Sequence, residues 1–397
     1  MSNPPESRLA MRDWQKSGLE KWIQNDFKGC FEVATGGGKT FFAISAMLHA
    51  ESQIPGLRTV VVVPTQPLLD QWYLSFSEDF HIPESDISVL NAKNYQNLNR
   101  INLVVINSAR RFDRRHVQAN KLLQIVDECH RAGSPQNSKC LIVGSRATIG
   151  LSATPSRDYD DGFENLVVPV LGDILVSYTL EDAISDGTLA KLSLRNVRIP
   201  LLPSEQDKYD AFSRKIGQAF AQKASEEKIR ELLIARSRVS NNAHLRVPVA
   251  AKVVQGFSGR RTMVFLESIE LAENLAKLLT DKGISATIYH SGLSDGMRRS
   301  NLRLFRRGIF DVLVACRALD EGFNVPEAEI AVIAAGTSTR RQRIQRIGRV
   351  LRSMLGKERG VVVTLYATDA EETRLQSEFG EMKTGISIEW SAVKIGK

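Results

Sequence analysis

A glycine-rich loop and a distant pair of carboxylates have the residue types that bind and cleave a nucleoside triphosphate. The loop contains the candidate nucleotide-binding residues Thr35, Gly36, Gly37, Gly38, Lys39 and Thr40. Glycines let backbone N–H groups approach phosphates, a lysine places positive charge beside the β- and γ-phosphates, and a threonine hydroxyl can ligate a metal ion. The carboxylates, Asp127 and Glu128, end an apolar run far downstream. Together the two segments predict a nucleoside-triphosphatase site.

The two carboxylates are predicted to have different tasks. Asp127 would hold Mg²⁺ together with the hydroxyl of Thr40. Glu128 would position the attacking water and accept its proton, because a carboxylate within hydrogen-bond reach of that water can act as a general base. Lys39, Asp127 and Glu128 are therefore the catalytic candidates of this half of the chain.

The loop has the flanking elements that such a site needs. An amphipathic stretch from Gln15 to Trp22 precedes it, and a predicted helix from Phe41 to His49 follows it, so that the helix would direct its N-terminal amides at an anion. Asp127 and Glu128 come where a parallel strand is predicted to end, which is the edge at which such sheets bind ligands. Strand, loop and helix thus follow in the required order.

Short β-branched runs alternate with helical patterns in both halves of the chain, which predicts parallel sheets. The predicted strands are Thr59–Val63, Leu103–Ile106, Leu123–Val126, Ala147–Leu151, Thr262–Leu266, Ala286–Tyr289, Val312–Ala315, Ile330–Ala334 and Val361–Tyr366. Between the halves, the charged stretch from Pro203 to Gly256 favours helices. We interpret it as a solvated connector whose helices pack on the second sheet, with a substrate contact as the alternative. The pattern predicts two α/β domains, 1–190 and 191–397.

Composition limits the classes of protein to which the chain could belong. Its 397 residues, 43% of them hydrophobic, can bury two ordinary cores. A formal net charge of +8 fits a nucleic-acid partner without establishing one. The four cysteines lack C-x-x-C spacing, so neither a disulfide framework nor a zinc site is expected. Without a secretory signal pattern or an apolar run of roughly 20 residues, we expect a soluble, cytoplasmic protein that does not enter membranes.

Three motifs give the chain a resemblance to a known family. Residues Asp127 to His130 match motif II, Ser152 to Thr154 match motif III, and Gln345 to Arg352 match motif VI of the DExH-box superfamily 2 helicases and translocases. Within that family the chain resembles the XPB-type DNA helicases and the motor subunits of restriction enzymes. The resemblance implies two tandem RecA-like domains, each a mainly parallel sheet flanked by helices, with ATP and Mg²⁺ in the interdomain cleft.

The resemblance also implies roles for further residues. Gln15 resembles the glutamine that reads adenine, since its amide can both donate and accept. Arg349 and Arg352, spaced i, i+3, resemble arginine fingers that would insert from the second domain, so that hydrolysis would require closure of the two domains. The stretch from Ala318 to Pro326 resembles motif V of the family and contains Gly322. The nucleotide-binding candidates added by the resemblance are Arg12, Gln15, Gly322 and Gln345, and the residues expected to couple nucleotide state to movement are His130, Ser152 and Thr154.

Polar loop residues after the predicted strands are candidates for nucleic-acid binding. They are Pro64, Thr65, Gln66, Asn107, Ser108 and Arg110 in the first half, and Ser268, His290 and Ser291 in the second. By contacting phosphates, these residues would hold the nucleic acid and set the polarity of binding without recognising its base sequence. Arginines clustered at 110–115 and 298–307 would strengthen this attraction if both flank one groove.

Two functions remain open from the sequence. One is an ATP-dependent helicase or translocase that moves along or unwinds DNA. The alternative is an ATP-gated subunit that clamps DNA or RNA and recruits a partner such as a nuclease without processive unwinding. A metabolic P-loop kinase fits poorly, because motif VI and the second α/β domain would have no role. DNA is favoured over RNA only through the family resemblance.

Overall fold

The computed structural model describes residues 10–34, 36–91, 98–112, 118–153, 161–179, 182–183, 186, 191–316, 328–334, 359–379 and 386–393. The chain divides into two compact units, Met1–Thr188 and Leu189–Lys397. Each unit contains one seven-stranded sheet, and all described strand pairs run parallel. No helix in the described part of the chain is long and apolar enough to cross a membrane.

The first unit is built around the sheet order β3-β4-β2-β5-β6-β1-β7. Its strands are β1 (Lys28–Val33), β2 (Arg58–Val63), β3 (Ile87–Val89), β4 (Ile101–Val105), β5 (Leu122–Asp127), β6 (Ala147–Ser152) and β7 (Ile174–Tyr178). Its helices are α1 (Asp13–Gln24), α2 (Lys39–Gln53), α3 (Gln66–Leu74), α4 (Ile106–Ala109) and α5 (Val168–Leu171), and shorter helical turns include Ser75–Asp79, Cys129–Gly133 and Phe163–Val167.

The second unit has the order β10-β11-β9-β12-β13-β8-β14. Its strands are β8 (Lys191–Arg198), β9 (Thr262–Leu266), β10 (Ala286–Tyr289), β11 (Val312–Cys316), β12 (Ile330–Ile333), β13 (Arg359–Tyr366) and β14 (Ile386–Ala392). Its helices are α6 (Pro203–Ala221), α7 (Glu226–Asn241), α8 (Arg246–Gln255), α9 (Ile269–Asp281), α10 (Asp295–Arg306) and α11 (Asp369–Phe379). The predicted fold of two parallel α/β sheets flanked by helices is confirmed.

Central strands are apolar on both faces because helices cover both sides of a parallel sheet. Every residue of β5 and β6 is buried, and so is every residue of β9 and β11. Helix α9 shows how the covering elements are specified. The Ser268 hydroxyl accepts a hydrogen bond from the backbone N–H of Leu271 at its start, and the helix buries Ala272, Leu275 and Leu279 on one face.

Each predicted strand is present, with ends that move by one or two residues. The strand expected at Leu103–Ile106, for example, is β4, Ile101–Val105. Five strands have no predicted range, namely β1, β3, β7, β8 and β14. Three of these lie at sheet edges, where one side has no neighbouring strand and the apolar run is short or interrupted.

A buried arginine joins several elements of the second unit. Arg246, at the start of α8, is fully buried and its guanidinium lies 2.8 Å from Glu371 Oε1 on α11. It also donates to the backbone carbonyls of Ser240, Ala334 and Leu365, at 2.6, 2.9 and 2.9 Å. Because a buried charge is stable only when it is paired and hydrogen-bonded, this network fixes α8 and α11 against the ends of β12 and β13.

Candidate functional site

The glycine loop connects β1 to α2 and requires glycine at specific positions. Gly36 and Gly38 have φ angles of 90° and 99°, in the left-handed region that side chains disfavour. At Gly37, a Cβ would come within 2.6 Å of the Val33 side chain and 3.0 Å of the Ala34 carbonyl oxygen. Helix α2 then starts at Lys39, so the first N–H groups of the helix lie at the end of the loop, where an anion can bind.

The start of α1 is hydrogen-bonded to this loop. An Arg12 guanidinium nitrogen and the Trp14 indole both donate to the Gly37 carbonyl, at 2.6 and 3.1 Å. The Gln15 amide nitrogen donates to the Gly38 carbonyl at 3.0 Å, while its oxygen accepts from the Arg12 backbone N–H at 2.8 Å. Gln15 is buried, and both ends of its amide hold protein groups in this arrangement. To read adenine, Gln15 would have to exchange at least one of these partners for the base.

The predicted catalytic residues of the first unit lie together. Lys39 Nζ is 3.8 Å from Glu128 Oε1 and donates to the Val33 carbonyl at 3.2 Å. Asp127 ends β5 and Glu128 follows it, and both side chains are buried. Glu128 has a φ of 50°, a conformation uncommon for a residue with a side chain and often found at functional sites. A lysine and two carboxylates thus converge beside the glycine loop.

Both oxygens of Asp127 accept hydrogen bonds from identified donors. Oδ1 accepts from the backbone N–H of Glu128 at 3.0 Å, and Oδ2 accepts from the indole N–H of Trp72 at 2.9 Å. Burial raises the pKa of Asp127, and the neighbouring Glu128 carboxylate raises it further. Lys39 and the Trp72 hydrogen bond act in the opposite direction. Two adjacent buried carboxylates would therefore be stabilised by a cation.

The donor chemistry of this site fits Mg²⁺. Asp127 offers carboxylate oxygens with one lone pair each still available, and Thr40 offers a hydroxyl in the first turn of α2. Mg²⁺ prefers oxygen and commonly takes one or two protein ligands together with substrate phosphates. Among the described residues no group of three His, Cys, Asp or Glu side chains could hold a metal ion. A site completed by phosphate oxygens is consistent with this arrangement.

His130 connects the end of β5 to the end of β6. Its Nδ1 lies 2.9 Å from Ser152 Oγ and 3.5 Å from Glu128 Oε2. The carboxylate predicted to act on water, the histidine and the last residue of β6 therefore form a continuous polar chain. This geometry suits the predicted coupling role of His130 and Ser152.

The nucleic-acid candidates of the first unit follow β2 and β4. Because neighbouring parallel strands have their carboxyl ends on the same side of a sheet, these candidates lie on the same side as Asp127, which ends β5. Thr65 precedes α3, and Gln66 donates to Asp70 at 3.3 Å. Asn107 and Ser108 lie in α4, and Pro64 directly follows β2. Arg110 donates to the Asn137 side chain at 3.2 Å.

The candidates of the second unit also follow strands. Ser268 comes after β9 and caps α9, so its hydroxyl already has a structural partner. His290 follows β10 and is buried, with Nδ1 accepting from the Gly292 N–H at 3.2 Å and Nε2 3.5 Å from Glu273 Oε1. Ser291 is the next residue. The candidates Thr35, Thr154, Gly322, Gln345, Arg349 and Arg352 lie outside the described residues.

Trp72 was missed as a site residue by sequence reasoning. It lies on α3, 55 positions before the carboxylate that it contacts, and is fully buried. An indole N–H can only donate, and a buried one usually has an acceptor, so a tryptophan near a predicted carboxylate site was the available signal.

Cys129, inside motif II, packs against Cys30 of β1. A Cβ on Gly150 of β6 would come within 2.5 Å of the Cys30 sulfur and 3.3 Å of the Cys129 sulfur, so this glycine makes room for both thiols. The hydrogen bond with Cys30 and burial raise the pKa of Cys129 well above its usual value. Cys129 therefore fills space as a neutral thiol.

We expect the native protein to resist thiol reagents. A raised pKa lowers the thiolate fraction, which is the reactive form, and all four cysteines are buried. At pH 8, a chromogenic disulfide reagent should titrate less than one thiol per native chain on the timescale of minutes, and four after unfolding in guanidinium. Rapid modification of Cys129 in the native protein, located by peptide mapping, would contradict this assignment.

Comparisons with known proteins identify the family. Residues 8–157 match the family model "Type III restriction enzyme, res subunit", and residues 248–354 match "Helicase conserved C-terminal domain". The chain is 26% identical over 375 residues to the DNA 3'-5' translocase XPB2 of Sulfurisphaera tokodaii, covering 87% of this chain and 80% of the relative. It is 22% identical over 371 residues to the DNA 3'-5' helicase XPB of Mycobacterium tuberculosis, covering 91% of this chain and 61% of the relative.

A solved structure has the same fold. S. cerevisiae Dbp5 bound to RNA and ADP BeF3 superposes with a TM-score of 0.64 at 16% identity, covering 95% of this chain and 89% of Dbp5. The likeness supports two tandem RecA-like domains. From its two matched domains and its relatives, this chain belongs to the superfamily 2 helicases and translocases and is an ATP-hydrolysing member similar to the XPB-type DNA helicases.

Proposed function

We propose that this chain hydrolyses ATP and uses the energy to move along DNA. The observation that supports this best is the convergence of Lys39, Asp127 and Glu128 beside the glycine loop, with Lys39 Nζ 3.8 Å from Glu128 Oε1. DNA is proposed as the track because relatives that align along most of this chain are named DNA 3'-5' translocase and DNA 3'-5' helicase. Since the chain spans 80% and 61% of those relatives, activities of their remaining parts do not transfer.

In the proposed reaction, the backbone N–H groups from Gly36 to Thr40 and the Lys39 ammonium bind the ATP phosphates. Glu128 holds the attacking water by a hydrogen bond and accepts its proton. When bound by Thr40 and Asp127, Mg²⁺ would neutralise charge on the β- and γ-phosphates. Arg12, Trp14 and Gln15 donate to carbonyls of the glycine loop and would hold its backbone in place for the phosphates.

The second unit would complete the active site. Arg349 and Arg352 are proposed to place positive charge on the transferring phosphoryl group, a contribution worth roughly 10³–10⁵ in rate for comparable arginines. We propose that the two units correspond to working domains at 1–190 and 191–397. Hydrolysis would then require both domains, which links chemistry to movement.

Nucleic-acid grip is proposed to use residues at the carboxyl ends of strands in both units. The candidates of the first unit lie at the same ends of the parallel strands as Asp127. Nucleic-acid phosphates bound there would therefore lie close to the nucleotide site. The polar contacts from Glu128 through His130 to Ser152 would transmit changes at the nucleotide site to β6 and to Thr154, which follows it in the sequence.

We further propose a cytoplasmic location, since four buried free cysteines suit a reducing compartment.

The alternative is an ATP-gated clamp that holds DNA or RNA and recruits a partner such as a nuclease. The apolar residues Phe220, Leu233 and Ile234 are exposed on the helix pair α6–α7 and could serve such a partner. A clamp would use the same nucleotide site without processive movement. The two functions therefore share a first test and differ in a second.

The first test is steady-state ATP hydrolysis without nucleic acid and with single-stranded DNA, duplex DNA or RNA. We expect strong stimulation by DNA, lost in Glu128→Gln and in Arg349→Ala. The same rate under all four conditions would contradict a nucleic-acid-driven enzyme. Stimulation by RNA alone would support the proposed ATPase activity but would identify RNA, and not DNA, as the nucleic acid along which the protein moves.

A further inference from the structure

The Trp72–Asp127 hydrogen bond joins two functions that the proposed reaction treats as separate. Trp72 is the seventh residue of α3, the helix that begins at the proposed nucleic-acid segment from Pro64 to Gln66. Asp127 is the proposed metal ligand at the end of β5. The indole nitrogen donates to Asp127 Oδ2 at 2.9 Å, and both groups are buried. No intervening residue separates this helix from the carboxylate.

This bond determines how the carboxylate is rotated. With Oδ1 held by the Glu128 N–H and Oδ2 held by the Trp72 N–H, the plane of the Asp127 carboxylate is fixed by donors on two different elements. Each oxygen keeps one lone pair for a further ligand. Burial prevents water from replacing a lost donor at low cost, so removal of the indole N–H would leave Oδ2 poorly solvated and the carboxylate free to turn.

The indole itself is held firmly. Trp72 is fully buried, and its ring packs against Phe76 with the ring centroids 5.7 Å apart. The rest of α3 is anchored by the buried side chains of Leu68 and Leu69. A displacement of α3 would therefore carry the N–H donor with it and would shift or break the bond to Asp127.

We propose that Trp72 is a positioning residue that orients Asp127 for Mg²⁺ and links the position of α3 to the metal site. The inference rests on the proposed function, because it takes Asp127 as a metal ligand and the start of α3 as a nucleic-acid contact. Partners that orient metal ligands typically contribute 10- to 100-fold to metal affinity or activity. Movement of α3 on nucleic-acid binding would thus change the affinity for Mg²⁺-nucleotide.

The test compares Trp72→Phe with Trp22→Phe. Both tryptophans are fully buried in the first unit, and the Trp22 indole donates to the Thr148 backbone carbonyl at 2.8 Å. Each substitution removes one buried indole N–H and keeps an aromatic ring, but only Trp72 contacts a carboxylate. The readout is equilibrium binding of a fluorescent ADP analogue as MgCl₂ is titrated, with thermal unfolding recorded for each variant.

We expect Trp72→Phe to raise the Mg²⁺ concentration for half-maximal ADP binding about 10-fold or more, and Trp22→Phe to leave it within about 2-fold. In the wild-type chain, adding DNA should also shift this Mg²⁺ midpoint, and the shift should be lost in Trp72→Phe. If Trp72→Phe does not fold, site-specific incorporation of benzothienylalanine, which has sulfur in place of the indole N–H, replaces it.

The outcomes separate the two proposals. Equal Mg²⁺ midpoints for Trp72→Phe and Trp22→Phe, in a chain that hydrolyses ATP with DNA, would overturn the positioning role alone. Absence of Mg²⁺-dependent ADP binding in the wild-type chain would overturn the proposed nucleotide site and, with it, the role of Trp72.

Discussion

Replacing Glu128 with glutamine is expected to lower the ATP hydrolysis rate about 10²- to 10⁴-fold, the usual contribution of a general base. Glutamine keeps the size of the side chain and can still hold a water, but it cannot accept the proton. Binding of Mg²⁺-ADP should persist, because the glycine loop, Lys39 and Asp127 are unchanged. The expected result is therefore a folded chain that binds nucleotide and fails to turn it over.

The stability of this variant provides an internal check. The Glu128 carboxylate raises the pKa of Asp127 and attracts Lys39 at 3.8 Å, so its removal relieves one repulsion and loses one attraction. We expect the Tm to change little. Glu164→Gln is the matched control, since it makes the same chemical change at an exposed position of the same unit. If Glu128→Gln hydrolysed ATP within 3-fold of the control, Glu128 would not be the base.

Breaking the Arg246–Glu371 pair is expected to give the largest loss of stability. Arg246→Met keeps a long apolar side chain but leaves Glu371 buried without its cation, a change that typically costs about 3–5 kcal/mol. For a unit of about 200 residues, each kcal/mol shifts Tm by roughly 2–4 °C, so the second unit should unfold roughly 6–20 °C lower. Thermal unfolding followed by circular dichroism measures this shift.

The control is an exposed pair on the sheet of the same unit. Arg195 and Glu389 lie 3.3 Å apart with both side chains about half exposed, and such pairs contribute about 1 kcal/mol or less. Arg195→Met should therefore change Tm by only a few degrees. The double variant Arg246→Met/Glu371→Gln should recover part of the lost stability, because the uncompensated charge is gone. Equal effects of Arg246→Met and Arg195→Met would show that the buried network contributes no more than a surface pair.

This network also has a bearing on function. The Ala334 carbonyl that Arg246 holds immediately precedes, in the sequence, the stretch 335–358 with the proposed arginine fingers. Fixing the end of β12 would limit where that stretch can start. A partly active Arg246→Met variant with lowered kcat and an unchanged nucleotide affinity would fit such a contribution.

Most central strands could be predicted from the sequence, whereas three of the four edge strands, β3, β7 and β14, could not. Strands such as β2 and β9 are continuous apolar runs, because both of their faces are buried. Strand β14, by contrast, exposes Ile388 and Trp390 at an edge, and Tyr178 is the one buried residue of β7. An edge strand pairs with a neighbouring strand on one side only and is partly exposed, so no long apolar run identifies it in the sequence.

Local motifs predicted the candidate nucleotide site, but the long-range contacts among its residues were not predictable. Lys39 and Glu128 were identified because each stands in a short pattern with a chemical reason for every residue type. The bond from Trp72 to Asp127 joins positions 55 apart, and the Gln15 bond to Gly38 joins positions 23 apart. Such contacts depend on how α1 and α3 pack against the sheet, which a motif does not encode.

The most direct test of directed movement is the dependence of ATP hydrolysis on the length of single-stranded DNA, with every length at saturating concentration. A translocase spends more time in transit on longer strands, so the rate should rise with length and reach a plateau. A rate that is independent of length, with intact DNA stimulation, would contradict translocation and favour the ATP-gated clamp.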